Sequence, residues 1–131
     1  MLEIARIWAK ALGRECDLGV GDAQVLEFPP DSFDTVTCTL GLCSIPDDRR
    51  AVSEAFRVLR PGARFILLEH VRSPVAIVRG GQRLLDPVCR WLEADHLVRE
   101  PVELLRVERF AAEELESSKW GIVERVAARK P

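Results

Sequence analysis

The sequence predicts an α/β fold, a mostly parallel sheet with helices on both faces that ends in an antiparallel hairpin. Three observations carry that reading. Helical and strand-like periodicities alternate along the 131 residues, the pattern of βαβ units. Ala63 to Leu68 (ARFILL) is a nearly continuous apolar run, as in a parallel strand covered on both faces. The last stretch, 111–129, reads as two strands joined near Lys119-Trp120-Gly121.

Leu2, Ala5, Trp8, Ala11 and Leu12 recur at helical spacing, and Gly13 offers a stop. Cys16 to Val20 alternates loosely and predicts a short strand ending in Gly21-Asp22-Ala23. Residues 24–32 contain Pro29-Pro30-Asp31 and read as loop. Phe33 to Leu40 (FDTVTCTL) is rich in β-branched residues and predicts a mostly buried strand. Ser44-Ile45-Pro46-Asp47-Asp48 predicts a helix start. Proline suits a first turn, and the aspartates suit the positive end of the helix dipole. Ala51, Val52, Ala55, Phe56 and Leu59 would form the buried stripe, and Arg60-Pro61-Gly62 would end it.

After the ARFILL strand, Glu69-His70 stands at its carboxyl end. Residues 75–93 read as a helix interrupted or bent at Gly80-Gly81 and Asp86-Pro87. Pro101 to Val107 reads as another. In the final hairpin, Val123, Val126 and Ala128 are inward positions.

Bulk properties narrow the function. Hydrophobic residues are 47% and charged residues 31%, with a net charge of −2, so no basic excess points to nucleic acid. No apolar run approaches the ~18–20 residues of a membrane helix, and the start lacks the pattern of a secretory leader. Cys16, Cys38, Cys43 and Cys89, with His70 and His96, lack metal-ligand spacing. They read as reduced, mostly buried thiols of a cytoplasmic protein, with no metal.

Ligands on such sheets bind beyond the carboxyl ends of the strands. That rule selects Asp22 and Ala23, then Leu40 to Ser44, then Glu69 and His70. Asp22 has two readings, a ligand-facing carboxylate or an Asx-type turn. His70 is the base candidate, because imidazole titrates near neutrality; otherwise it caps a helix or edges the core. Trp91 and Trp120 read as core or rim aromatics, and Asp86 with Arg99 as an ion pair between helices.

Gly21-Asp22-Ala23, Leu26-Glu27-Phe28-Pro29, Ser32-Phe33-Asp34 and Arg57-Val58-Leu59-Arg60-Pro61-Gly62 occur in this order and spacing. Together they resemble the class I, Rossmann-like S-adenosylmethionine-dependent methyltransferases, above all the ubiquinone/menaquinone-biosynthesis branch. More loosely, Glu69-His70, Gln82, Leu85-Asp86-Pro87, Asp95, Leu97 and Arg99-Glu100 resemble the alkyl-thiol methyltransferases of the same superfamily. The resemblance implies S-adenosylmethionine as cofactor, S-adenosylhomocysteine as product, and a small quinone-like or thiol methyl acceptor. It implies that Asp22 accepts a hydrogen bond from the adenine amine, a pairing that suits an acceptor-only carboxylate. The Ala23 backbone N–H would meet the ring, and Thr39, Leu40, Gly41 and Leu42 would flank the cofactor and the substrate entrance.

The sequence lacks the glycine-rich GxGxG turn that opens such domains, where close backbone approach needs glycine. It also lacks the G-x-G-x-x-G of a nicotinamide-binding domain. Residues 1–131 therefore read as a partial methyltransferase domain without its first two strands. In the family these lie between the strand at 15–21 and the strand at 33–40. Unpaired backbone there admits three outcomes: the flanking strands close up, a second copy fills the gap as a homodimer, or the protein is longer. The alternative function is a non-catalytic methyltransferase-like protein or partner subunit.

Overall fold

The computed structural model describes residues 2–71, 73–93, 101–118 and 121–131, apart from the side chains at 86, 88–93 and 101. The expectations for Cys89, Trp91, Trp120, His96 and an Asp86–Arg99 pair lie outside these residues. So do those for Asp95, Leu97 and Glu100.

The elements are α1 (Leu2–Ala11), β1 (Phe33–Thr39), a 3₁₀ turn (Leu42–Ser44), α2 (Asp48–Val58), β2 (Leu59–His70), α3 (Ala76–Glu93), α4 (Pro101–Val107), β3 (Ala111–Ser117) and β4 (Val123–Arg129). The sheet order is β1-β2-β4-β3. The α/β class holds, and the sheet is mixed. The β1–β2 pairing is parallel, while β2–β4 and β3–β4 are antiparallel. The expected carboxy-terminal hairpin is the β3–β4 pair.

One expected strand is absent. Cys16 to Val20 forms no ladder, and the only pairing nearby is an isolated bridge between Asp22 and Val25. A strand needs a neighbour for its N–H and C=O groups. Among the described residues β1 pairs with β2 alone, so the flanking segments do not close up and the outer edge of β1 stays open.

Two helix expectations also shift. Pro46 lies before α2 rather than in its first turn. Asp47 is the cap, its side chain accepting from Arg50 N–H at 3.0 Å, because an Asp oxygen satisfies an orphan amide that proline cannot offer. Of the apolar residues at helical spacing from Leu2 to Leu12, Trp8, Ala11 and Leu12 are exposed and Leu2 and Ala5 half-buried, and Ile4 and Ile7 are exposed too. Leu59, expected in the α2 stripe, instead caps that helix and opens β2. Arg60-Pro61-Gly62, expected as the turn after α2, lies inside β2, where the register against β1 shifts between Phe33 and Thr35 and Gly62 takes φ +81°, a conformation that favours glycine.

The core joins α2, the sheet and α4. Ala51, Val52 and Ala55 of α2 meet Phe65 and Leu67 of β2, Val126 and Ala128 of β4, and Leu105 of α4. Phe110 packs edge-on to Phe56 at 5.0 Å and tilted to Phe65 at 5.5 Å. Lys130 ties the chain end to the start of β2, donating to the Leu59 carbonyl at 2.6 Å and to Asp31 at 2.8 Å. α3 runs through Gly80-Gly81 and Pro87 as one helix. Its Gln82 is buried and bridges the end of β2, accepting from Ser73 N–H and donating to the Val71 carbonyl, each at 2.8 Å.

Candidate functional site

The carboxyl ends of β1 and β2, with the 22–28 segment, form the candidate site. The segment has no ladder of its own and is moored to one polar stripe of α2. Asp47, Arg50, Glu54 and Arg57 recur at helical spacing along that stripe. Asp47 N–H donates to the Gln24 side chain at 3.1 Å, and Arg50 Nε to the Gln24 carbonyl at 2.9 Å. Leu26 N–H donates to Glu54 Oε2 at 2.8 Å. Arg57 donates to the Leu26 and Phe28 carbonyls at 2.9 and 2.8 Å, and pairs with Glu54 at 2.7 Å. The Arg57 hydrogen bond holds the Glu54 carboxyl down to about 2, aided by the Leu26 amide and opposed by partial desolvation. Side-chain oxygens and guanidinium nitrogens on α2 thus replace strand partners for this backbone.

At the head of the segment, Val25 N–H closes a turn on the Asp22 carbonyl at 3.0 Å. Asp22 Oδ1 accepts from both Gln24 N–H and Gln24 Nε2, at 2.8 and 3.0 Å. Those bonds hold its carboxyl below the usual carboxylate range, with a smaller contribution from Arg50. The Asx-type turn is therefore real. It engages one oxygen, and a carboxylate offers about four lone-pair sites.

Asp22 and Ala23 lie between two concavities. Ala23 walls an apolar cavity of about 180 Å³ with Leu26, Cys38, Leu42, Ile45 and Ala51. That is below the ~300–1,000 Å³ of a whole-ligand site and suits one ring-sized group. Asp22 lines a depression of about 280 Å³ with Val20, Gly21, Glu27 and Phe28.

Beyond β1 the chain turns sharply. Leu40 N–H extends the ladder to the Leu68 carbonyl at 2.7 Å, and Leu40 then adopts φ +48°, a costly conformation for a branched side chain. Glu69 Oε1 sits behind this turn. It accepts from Gly41 N–H at 3.0 Å, Leu42 N–H at 2.9 Å and the Cys38 thiol at 3.2 Å. Burial, then the Glu69 hydrogen bond and charge, push the Cys38 thiol up to about 12. Cys38 is therefore a protonated donor at neutral pH rather than a nucleophile.

The structure brings Ala23, Cys38 and Leu42 together around the small cavity, while Thr39, Leu40 and Gly41 are not among its walls. Thr39 is exposed at the last position of β1 and Leu40 is 46% exposed. His70 follows Glu69 and so projects from the opposite face of the sheet. Its Nδ1 is buried without a hydrogen-bond partner among the described residues. Sequence reasoning selected Glu69 at the strand end without its role, and missed Cys38 and the α2 stripe. The available signal was phase: Glu69 alternates with Phe65 and Leu67, so a charged residue falls on the buried side. The expectation of mostly buried cysteines holds for Cys43, but Cys16 is exposed and Cys38 intermediate. Among the described residues no cluster suits a metal, and no helix is long and apolar enough to cross a membrane.

This arrangement defines a Rossmann-like α/β domain with a candidate site at its strand ends. The methyltransferase-domain family profile matches residues 1–67, just over half of the chain, and the chain belongs to that family. It is 42% identical over 74 residues to the demethylmenaquinone methyltransferase of Thermus thermophilus, covering 56% of this chain and 34% of that protein. It is 39% identical over 92 residues to the methyltransferase YcgJ of Bacillus subtilis, covering 66% of this chain and 36% of that protein. The YcgJ crystal structure superposes with a TM-score of 0.73 at 19% identity, covering all of this chain and 79% of that one. A SAM-dependent methyltransferase from Methanosarcina mazei superposes at 0.72 with 25% identity, covering 98% of this chain and 76% of that one. The chain spans about a third of the length of these two curated relatives.

Proposed function

We propose that this chain carries the adenine side of an S-adenosylmethionine site and serves methyl transfer to a small quinone-like or thiol acceptor. The observation that carries the reading is the ring-sized apolar cavity walled by Ala23 and Leu42, with the Asp22 carboxylate on the same turn. Family membership and the named activities of the relatives support it. An adenine ring fits the cavity's size and apolar lining, and its amine is a donor for the Asp22 oxygen that Gln24 leaves open. The bound cofactor supplies an electrophilic methyl group on a sulfonium. The chain's own residues orient the nucleoside, exclude water through the apolar walls and keep Asp22 ionised as an acceptor. Thr39, Leu40 and Gly41 are assigned to the turn that flanks the cofactor.

Calorimetric titration with S-adenosylhomocysteine tests this reading. Micromolar affinity, about −8 kcal/mol, supports it, and absence of heat overturns it. Asp22→Ala is expected to weaken binding by roughly tenfold, about 1.4 kcal/mol, while leaving the melting curve in place. An unchanged affinity removes Asp22 from the site.

His70 is the proposed base for the acceptor's proton, on the strength of its strand-end position and its unbonded Nδ1. A thiol acceptor ionises readily and needs little such help. His70→Asn is expected to lower kcat about tenfold or more while leaving S-adenosylhomocysteine affinity in place; an unchanged kcat dismisses the role.

A second reading, a non-catalytic methyltransferase-like partner subunit, is favoured by the open edge of β1 and the unpaired 16–20 segment. A homodimer in which a second copy covers that edge and the exposed Ile4, Ile7 and Trp8 of α1 belongs to either reading. Light scattering decides it, since a monomer at micromolar concentration excludes the dimer. The absence of disulfides among Cys16, Cys38 and Cys43 accords with a reducing compartment, and we assign the protein to the cytoplasm.

A further inference from the structure

Glu69 is 2% exposed, on the face of β2 that also carries Phe65 and Leu67. A buried charged side chain is costly unless its hydrogen-bonding capacity is used. Glu69 uses one oxygen as a hub. Oε1 receives the amides of Gly41 and Leu42 and the Cys38 thiol, while Oε2 has no partner among the described residues. All three donors belong to the end of β1 and the turn after it. Glu69 itself belongs to β2, so the bonds cross from one strand to the next at the sheet's ligand-binding end. The turn it holds contains Leu40 at φ +48°, a conformation that persists only where surroundings over-determine it. Leu42 and Cys38, two of the held residues, are walls of the small cavity.

We propose that Glu69 is a positioning residue for the Leu40–Leu42 turn, fixing from β2 the wall against which the adenine ring packs. The role rests on the cofactor reading above in its second half only. Glu69 touches no ligand; it acts through Gly41, Leu42 and Cys38. The bond to Cys38 also has a chemical consequence. The thiol stays a donor, so the cavity wall presents a neutral S–H rather than a thiolate.

Three measurements on the full chain test this, using Glu69→Ala and Glu69→Gln. First, amide hydrogen exchange at Gly41 and Leu42 is expected to accelerate at least about tenfold in Glu69→Ala, with strand interiors unchanged. In Glu69→Gln most protection stays, because the amide oxygen still accepts. Second, alkylation of Cys38, located by peptide mass spectrometry, is expected to shift its pH midpoint down in Glu69→Gln, because the neighbouring charge is gone. A merely space-filling role does not move that midpoint. Third, S-adenosylhomocysteine affinity is expected to fall about tenfold in Glu69→Ala and less than about threefold in Glu69→Gln.

Unchanged protection of Gly41 and Leu42 in folded Glu69→Ala overturns the proposal. So does an unchanged Cys38 midpoint in Glu69→Gln, which remains decisive if Glu69→Ala does not fold. Equal S-adenosylhomocysteine affinity for wild type and Glu69→Ala also overturns it. A wild-type chain that binds no S-adenosylhomocysteine overturns the cofactor reading alone, and the exchange and thiol readings then decide whether Glu69 holds the turn.

Discussion

Two segments precede the sheet's first strand, and they are held in opposite ways. Residues 22–28 form no strand, yet the α2 stripe bonds their backbone at Gln24, Leu26 and Phe28. Residues 2–20 contain a regular helix, yet its large apolar residues meet no core: Ile7 is 67% exposed and Trp8 63%. Both segments have the composition of folded protein. The difference is whether a partner surface exists. α2 buries Ala51, Val52 and Ala55 on the sheet and turns its charged side to the 22–28 segment, so one helix serves two layers. α1 has the same amphipathic design with nothing described beneath it. Regular local structure is thus no measure of integration, because most helix stability comes from packing of the apolar face.

The largest test of this contrast replaces one large side chain in each region. Phe65→Ala is expected to cost about 3–5 kcal/mol by chemical denaturation, because Phe65 is 3% exposed within the core. Trp8→Ala is expected to stay within about 0.5 kcal/mol. A comparable loss at Trp8 would show that α1 is packed in solution.

A second pair sharpens it. Gly121 and Gly13 both have positive φ, +59° and +63°. A Cβ on Gly121 would meet Pro74 Cδ at 2.5 Å, whereas one on Gly13 would meet nothing within 4 Å. Gly13→Ala is expected to cost about 1 kcal/mol of backbone strain, and Gly121→Ala about 1–3 kcal/mol more because Pro74 must move. Equal melting shifts would erase the distinction.

The smallest effect concerns pH. Glu54 has its carboxyl lowered from 4.5 to about 2 by Arg57 first of all. A depressed carboxyl contributes stability that is complete above its unfolded value and lost as pH falls through the folded one. The mooring of 22–28 is therefore expected to weaken between about pH 4.5 and 2, seen as faster Leu26 amide exchange after correction for the intrinsic pH dependence. The pair is partly solvent-exposed, so the global effect is discounted for screening. Glu54→Gln is expected to abolish the pH-dependent part; persistence in that variant would assign it elsewhere.

Much of the fold was legible. α4 begins and ends where Pro101 and Val107 predicted, the hairpin pairs as expected, and the apolar ARFILL run lies inside β2. The candidate site was legible in part. Asp22 and Ala23 were selected by the rule that ligands bind at strand ends, and Ala23 walls a cavity there. What escaped was long-range. Nothing local to Glu54 and Arg57 says that their partners are the carbonyl and amide groups of residues 26–28. Cys16 to Val20 has a strand's composition but no ladder partner, so it remains coil.

By itself the sequence determined most of the elements and the buried phase of α2 and β2, because alternation, helical spacing and turn chemistry act over a few residues. Only the tertiary structure decided which of those faces is covered, that α2 rather than a strand holds the Asp22 segment, and that Glu69 reaches across to Gly41 and Leu42. Those outcomes depend on which backbone and side-chain groups meet across long sequence separations, and a hydrogen bond between such groups exists only after the sheet has brought them together.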